Sequence, residues 1–325
     1  MADSQLPLGT GAKRSRPLAV GLIMPHWTGS LAGQTPRWAD MLAVARAAEA
    51  AGFDSFWLID VLLWRLREGT VLGVWECWSL LSALAASTSR IALGTLVTNS
   101  LLRNPALVAK LADTVDEISG GRLILGLGAG LAEDSRSVGL PSDRRFDRFA
   151  EALTIIRDLL RTGRSDFHGT YYQMPEAELR PRGPRPVAGP PLLIGTTGPG
   201  PRMVQLVAQY ADLWTGDILT AEGQTTLEAI PPLRAALDAA CTSAGRDPAT
   251  LGRTVTGAAA FSGHRLQVGP VDLTDRALRG SPEELAEGLR AFAREGISHI
   301  QLALAPSTVQ GVEAFAPVLE LLDRT

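Results

Sequence analysis

Two side chains that could carry a proton follow predicted strands of this chain, His26 after the first strand and Asp60 after the second. Imidazole and carboxylate groups act as general acids and bases when their surroundings tune the pKa. Both residues also have a structural interpretation, because a half-buried histidine can make a structural hydrogen bond and an aspartate can cap a loop or helix. The sequence therefore identifies His26 and Asp60 as candidate catalytic residues.

Residues 118–130 could bring another group close to the backbone. An apolar run in this stretch passes into Gly126, Gly128 and Gly130, which is typical of a fully buried strand in a parallel sheet. Glycines at the end of such a strand permit close approach of either a ligand or a packed element, and both interpretations stay open. A dinucleotide-binding fingerprint is not favoured, because a good helix start and an acidic strand end are missing.

Small or apolar residues occupy the other predicted strand ends, where barrel enzymes place their active sites. Titratable groups are scarce among these positions, so we expect no metal site. A pocket of this composition suits a flat organic cofactor better than a charged triad. The candidate pocket residues are Leu96, Val97, Thr98, Asn99, Gly128, Ala129, Gly130, Gly195, Thr196, Thr197 and Gly198.

Strand-like and helix-like segments alternate along the chain and would position these residues. Eight such pairs predict a (β/α)₈ TIM barrel with insertion segments, an α/β fold, in preference to an open doubly wound sheet. We expect an irregular connection over residues 163–190. The predicted strands cover residues 18–24, 53–59, 91–97, 123–128, 191–195, 212–215, 254–261 and 298–304.

Length and composition agree with one barrel. The chain has 325 residues, 46% of them hydrophobic, and a net charge of −3. We expect a disordered extension over residues 1–16 and a single barrel domain over residues 17–325. The charge argues against a nucleic acid partner, and the apolar runs are too short to cross a membrane. The two cysteines, Cys77 and Cys241, lack metal-ligand spacing, so we expect a reduced, cytoplasmic protein.

Several long strings resemble the luciferase-like flavin-dependent oxidoreductase family between about Leu18 and Trp214. They read FDSFWLID, ECWSLLSALAASTSRIALGTLVTNSLLRNPALVAKLADTVDEISGGRLILGLGAG, RFDRFAEALTIIRDLL and GPRMVQLVAQYADLW. The resemblance implies a barrel with an insertion region, and a flavin- or F420-dependent oxidoreductase or monooxygenase acting on a small organic substrate. The last string and the Ala, Arg and Gly usage favour F420 as the cofactor, with FMN as the alternative.

The resemblance also assigns a phosphate site. In the similar family segment the cofactor phosphate lies on backbone N–H groups, and the matching residues here are Gly195, Thr196, Thr197 and Gly198. They precede the helix that contains Arg202, and a helix N-terminus attracts anions. An ordinary turn is the alternative.

The third strand matches the family segment that lies under the isoalloxazine ring. In such relatives a non-proline cis peptide bond is often found there, and Leu96–Val97 is the matching pair. An early group of tryptophans is typical of a core or a subunit interface, and we expect a homodimer. This group contains Trp57, Trp64, Trp75 and Trp78.

The chain departs from the family pattern at two positions. Many relatives carry His directly after the second-strand Asp, where this chain has Val61, and F420-dependent relatives often carry Glu where it has Leu131. His26 is then the remaining histidine at a strand end, and Glu133 and Asp134 are the next acids. Two alternatives follow: a non-catalytic flavin-binding homologue, or an unrelated barrel lyase or isomerase.

Overall fold

The computed structural model describes residues 15–66, 69–196, 200–217, 227–268 and 271–324. Within these ranges eight parallel strands alternate with eight helices. The strands are β1 (Ala19–Ile23), β2 (Ser55–Leu58), β3 (Ala92–Thr95), β4 (Leu123–Gly128), β5 (Leu192–Thr196), β6 (Leu213–Asp217), β7 (Gly252–Phe261) and β8 (His299–Ala305). They pair in chain order, and the β8–β1 and β4–β5 pairs close the sheet. The predicted barrel is confirmed, and the open sheet is excluded.

The helices cover the outside of the barrel, one after each strand. Asn104 and Ser281 cap the third and seventh helices, and left-handed glycines such as Gly52 and Gly120 end the first and third. The helices are α1 (Trp38–Ala51), α2 (Cys77–Ser87), α3 (Pro105–Ser119), α4 (Arg145–Thr162), α5 (Pro201–Tyr210), α6 (Ile230–Ser243), α7 (Pro282–Arg294) and α8 (Val309–Asp323).

The loops between the barrel strands and helices contain further short strands and a short helix. The connection over residues 163–190 is not irregular throughout, because Arg164–His168 and Gln173–Glu178 form an antiparallel hairpin in it. A second hairpin, Leu63–Arg65 with Val71–Gly73, lies between β2 and α2. A short helix, Ala132–Ser137, precedes α4. Further short strands are Thr98–Asn99, Gln267–Val268, Val271–Asp272 and Leu278–Gly280.

The start of the described chain is attached to the barrel. Most of the extension that we expected over residues 1–16 lies outside the described residues. Arg16 is buried, and its guanidinium pairs with Asp54 at 3.1 Å and with Asp323 at 2.8 Å. Ser15 donates a hydrogen bond to the backbone carbonyl of Asp323. The ordered packing therefore includes these last two residues of the predicted extension.

The interior of the barrel is filled around one large side chain. Trp57 on β2 is fully buried, and the neighbouring strands present Gly21 and Gly94 to it. A Cβ atom at Gly94 would overlap the six-membered ring of Trp57, so the two glycines make room for the indole. A large side chain opposite small ones is the usual way to fill such a bore.

Polar groups also lie in the bore. Trp57 Nε1 donates a hydrogen bond to Ser55 Oγ at 2.7 Å, and Ser55 Oγ lies 2.8 Å from Nε2 of His299. The Ser55 hydroxyl thus links the indole N–H of Trp57 to the imidazole ring of His299 in the bore. Burial lowers the pKa of His299 to about 3, so its ring is neutral and structural.

The described residues hold no helix that is long and apolar enough to cross a membrane. In the same ranges, no group of three or more His, Cys, Asp or Glu side chains is placed to hold a metal ion. Cys77 and Cys241 are both buried free thiols.

Replacing Gly94 by Ala should destabilise the barrel, because the added methyl overlaps Trp57 in a closed interior. We expect the free energy of unfolding to fall by about 1–3 kcal/mol in urea titrations. Gly200→Ala is the control, because nothing lies within 4 Å of a Cβ at Gly200. Equal stability of the two variants would contradict this account of the bore.

Candidate active site

A cavity of about 470 Å³ lies at the carboxyl ends of the strands, the face on which barrel enzymes work. Its volume is in the range of small-molecule sites. The cavity brings together most of the predicted pocket residues: Asp60, Leu96, Val97, Thr98, Asn99, Gly128, Ala129, Gly130, Gly195 and Thr196. His26 and Arg202 are not among its lining residues, and Thr197 and Gly198 lie outside the described residues.

Leu96 and Val97 form an apolar platform in the cavity wall, joined by the cis peptide bond that the resemblance implied. Val97 lies in the space that two glycines leave free. A Cβ atom at Gly128 would lie 2.6 Å from Val97 Cγ2, and one at Gly195 would lie 3.2 Å from Val97 Cγ1. Gly126 is equally constrained, because a Cβ there would overlap the carbonyl oxygen of Thr95. The group that approaches the strand-four glycines is therefore the end of β3.

Asn99 continues this wall. Its backbone N–H donates to Asp60 Oδ2 at 3.0 Å, and its side-chain Oδ1 accepts the N–H of Leu101 at 3.1 Å. Gly130 lies against the amide group, in a left-handed conformation with φ of 74°. Asn99 Nδ2 is buried and finds no hydrogen-bond partner in the described part of the chain. This cavity-lining residue therefore keeps an NH₂ group that has no acceptor among the described residues.

Asp60 lines the cavity, but both of its carboxylate oxygens are occupied. Arg103 Nη1 donates to Oδ2 at 2.6 Å and Arg103 Nη2 to Oδ1 at 3.0 Å. The same guanidinium pairs at 2.7 Å with Glu76, which caps the N-terminus of α2. Burial raises the pKa of Asp60, and the Arg103 guanidinium counters this shift by pairing with the ionised carboxyl. In this structure Asp60 holds loops together, and a catalytic role stays a prediction.

His26 lies behind the cavity wall and is fully buried. Its Nδ1 is 2.7 Å from the carbonyl oxygen of Met24, and its Nε2 is 3.1 Å from that of Ile59. Burial lowers the pKa of His26. With both ring nitrogens facing backbone carbonyls, this position supports the structural interpretation, and the catalytic role remains untested.

Arg145 and Phe146 line the cavity and were missed by sequence reasoning. They open α4, and the Arg145 guanidinium carbon lies 4.6 Å from the centroid of the Phe146 ring. Arg145 Nη1 donates to the carbonyl oxygen of Gly130 at 3.2 Å. Among the described residues no carboxylate pairs with Arg145, since the neighbouring Asp147 and Asp143 pair with Arg202 and Arg148, so a cation is left in the cavity wall. Both residues open the string RFDRFAEALTIIRDLL, which contributed to the family resemblance but was assigned no part in the site.

The end of β5 is partly described. Thr196 is buried and accepts a hydrogen bond from Trp214 Nε1 at 2.8 Å. Arg202, predicted to help bind the cofactor, pairs instead with Asp147 on α4. Its neighbour Met203 reaches the cavity wall. The described contacts of Arg202 thus stabilise the packing of α5 on α4, and its role toward a phosphate stays a prediction.

The two positions that depart from the family pattern both face the cavity. Val61 and Leu131 are lining residues, so aliphatic side chains stand where relatives are expected to have His and Glu. Asp134 follows on the short helix and is only 2% exposed, but it is not part of the cavity lining. Burial raises the pKa of Asp134.

Fold and cavity together define a (β/α)₈-barrel protein with a ligand-sized site at the carboxyl face of the barrel. Residues 19–268 match the luciferase-like monooxygenase family, and the chain belongs to that family. The resemblance seen in the sequence is thereby confirmed.

The curated relatives include F420-dependent dehydrogenases and monooxygenases. The chain is 34% identical over 239 residues to the F420-dependent hydroxymycolic acid dehydrogenase of Mycobacterium tuberculosis, covering 72% of this chain and 60% of that protein. It is 36% identical over 179 residues to the pyrimidine monooxygenase RutA of Cronobacter sakazakii, covering 53% of this chain and 50% of that protein. The matches therefore span half to three fifths of these relatives.

Solved structures share the fold over nearly the whole chain. An F420-dependent secondary alcohol dehydrogenase in complex with an F420–acetone adduct superimposes with a TM-score of 0.77 at 21% identity, covering 94% of this chain and 99% of that one. Monooxygenase RslO1 from Streptomyces bottropensis gives a TM-score of 0.72 at 18% identity, with 94% and 98% coverage.

Replacing Arg103 by Met should leave Asp60 buried without a counter-charge. We expect a loss of about 3–5 kcal/mol in the free energy of unfolding, with partial recovery in the Arg103→Met/Asp60→Asn double variant. The control is Arg324→Met, whose pair with Glu320 is exposed and should contribute under about 1 kcal/mol. Denaturant titration at neutral pH measures all three. Equal losses in the two single variants would show that the Asp60 pair is not structural.

Proposed function

We propose that this protein is an F420-dependent oxidoreductase, with FMN as the alternative cofactor, acting on a small organic substrate. The observation that carries the proposal is the composition of the cavity, which combines an apolar platform with one unpaired amide donor and one unpaired cation. The names of the relatives support F420, because the mycobacterial dehydrogenase and the alcohol dehydrogenase structure are both F420-dependent. RutA keeps the monooxygenase alternative open.

The residues present fit a flat heterocycle with a polar edge and an anionic side chain. Leu96 and Val97 offer an apolar surface for a ring. Asn99 Nδ2 can donate to a ring carbonyl or nitrogen. Arg145 can pair with a phosphate or carboxylate on the cofactor side chain, as a planar guanidinium does well. Gly195 and Thr196 lie on the same wall and lead into the predicted phosphate loop.

When bound there, a deazaflavin or flavin would supply the hydride or oxygen chemistry. The chain's own residues would orient the ring on the platform, donate a hydrogen bond from Asn99 and exclude water with the apolar wall. Asp60 and Arg103 would hold the platform through the Asn99 N–H, and the catalytic role of Asp60 stays a prediction. A non-catalytic flavin-binding homologue is the second candidate, favoured by Val61 and Leu131 in the cavity wall.

The proposal extends to the oligomeric state and the cellular compartment of the protein. We expect a homodimer, supported by the exposed apolar side chains Leu107 and Ile118 on α3, which are 50% and 45% exposed. Equilibrium sedimentation measures this directly. The free thiols Cys77 and Cys241 support a reducing, cytoplasmic compartment. The net charge of −3 gives no support for a nucleic acid partner.

Titration of the purified protein with F420 and with FMN tests the function. Fluorescence changes that saturate at micromolar F420, followed by turnover with a carbonyl or alcohol substrate, would support the proposal. Saturable binding without turnover on any substrate would favour the non-catalytic homologue. Absence of binding for both cofactors would overturn both candidates.

Replacing Arg145 by Gln should weaken the binding of cofactors that carry a phosphate. We expect dissociation constants for F420 and FMN to rise by about 10–100-fold, the range for loss of a charge-assisted hydrogen bond. Riboflavin and the phosphate-free deazaflavin chromophore should bind unchanged, because they lack the anion. Equilibrium fluorescence titration measures all four ligands.

Arg202→Gln is the matched variant for this prediction. Arg202 pairs with Asp147, so we expect its replacement to leave FMN affinity within about twofold of the unmodified protein, as for other exposed ion pairs. A loss confined to Arg202→Gln would instead locate the phosphate at the N-terminus of α5, as the sequence predicts.

A further inference from the structure

Four apolar side chains belong to the cavity lining in addition to the platform residues. Val61 and Trp64 come from the β2–α2 connection, Leu131 from the end of β4 and Phe146 from the start of α4. We call them the apolar wall. Leu131 is 50% exposed and Phe146 is 37% exposed, although both are large hydrophobic residues. Exposed apolar side chains that converge on a concave surface mark a binding site for an apolar molecule.

Trp64, one residue of the apolar wall, is held in place by its neighbours. Trp64 lies edge-on to Trp27, with ring centroids 5.4 Å apart. The hairpin that carries Trp64 is tied to the β1–α1 connection, because Thr28 N–H donates to the carbonyl oxygen of Gly73 at 2.8 Å. A surface that is already shaped for its ligand loses little conformational entropy on binding.

Among the described residues, Asp60 and Arg145 are the charged side chains that line the cavity. Both oxygens of Asp60 are held by Arg103 and by the Asn99 N–H. The apolar wall itself offers no hydrogen-bonding side chain except the indole of Trp64. A carboxylate or phosphate placed against Val61, Trp64 or Leu131 would lose its hydration without a counter-charge from these side chains. The cation over the Phe146 ring, Arg145, is the group that we assign to the cofactor.

We infer that the substrate is an uncharged molecule with an apolar body of several carbons, which binds against Val61, Trp64, Leu131 and Phe146. This inference rests on the proposed function, since it takes the cavity as the place of reaction. A sugar phosphate or a free carboxylic acid does not fit the wall. Affinity comes from removal of apolar surface from water and rises with chain length until the cavity is full.

A homologous ligand series tests the inference by equilibrium binding. Isothermal calorimetry with 2-butanone, 2-hexanone and 2-octanone, on the F420-saturated and the cofactor-free protein, gives affinity as a function of length. We expect about fourfold tighter binding per methylene. Octanoate should bind more weakly than 2-octanone. A slope under twofold per methylene, or octanoate binding at least as tightly as 2-octanone, would overturn the inference.

A polar substitution in the wall supplies the second test. Leu131→Asn should raise the dissociation constant of 2-octanone about tenfold while leaving the F420 dissociation constant unchanged. Val187→Asn is the control, because Val187 is 82% exposed and is not a cavity residue. Unchanged 2-octanone affinity in Leu131→Asn would remove the wall from the site.

The two proposals fail separately. F420 binding without chain-length dependence would reject the apolar substrate and leave the proposed function standing. Chain-length dependence in a protein that binds neither F420 nor FMN would reject the proposed function and leave the apolar site standing.

Discussion

The contact between Val97 and the glycines of β4 and β5 is the constraint on which the cavity depends. Val97 occupies the space where Gly128 and Gly195 would otherwise carry side chains. Any larger residue at these glycines would push the end of β3 away from its neighbours. The platform residue Val97 can pack against β4 and β5 because both strands carry a glycine, without a side chain, at the point of contact. Close-packed interiors transmit such displacements, so these glycines set the shape of a wall to which they add little surface.

A charged pair, Arg103 with Asp60, holds the neighbouring part of the same cavity wall at Asn99. Arg103 binds Asp60 with both nitrogens and reaches Glu76 at the start of α2, while Asp60 receives the Asn99 N–H. The Arg103 guanidinium thus joins the β3–α3 loop, which carries it, to the β2–α2 loop, which carries Asp60 and Glu76. A buried pair of this kind adds little net stability over apolar residues, but it allows few alternative arrangements. It also neutralises the carboxylate that lines the cavity, and Arg145 is then the remaining charged side chain among the described lining residues.

The barrel was predictable because its strands are short apolar runs that alternate with amphipathic helices, and β4 even has its predicted bounds, Leu123–Gly128. The hairpin in residues 163–190 was not, because strand Arg164–His168 buries mainly Ser165 and lacks an apolar pattern. The strand-end rule found ten cavity residues. Arg103 and Arg145 escaped it because they lie beyond the strand ends, and their partners, Asp60 and Gly130, are distant in sequence. Such pairings have no local pattern.

The orientation of the Asn99 amide follows from its neighbours. Its Oδ1 receives the backbone N–H of Leu101, so the oxygen is fixed on that side and the NH₂ group lies on the other. The residue therefore keeps an unpaired NH₂ group. Arg145 is a second donor group in the described lining, which also contains threonine hydroxyls and the paired carboxylate of Asp60, and most of the other lining side chains are apolar. A ring system edged with carbonyl oxygens and carrying an anionic side chain satisfies both donors at once, whereas a cation or a metal ion satisfies neither.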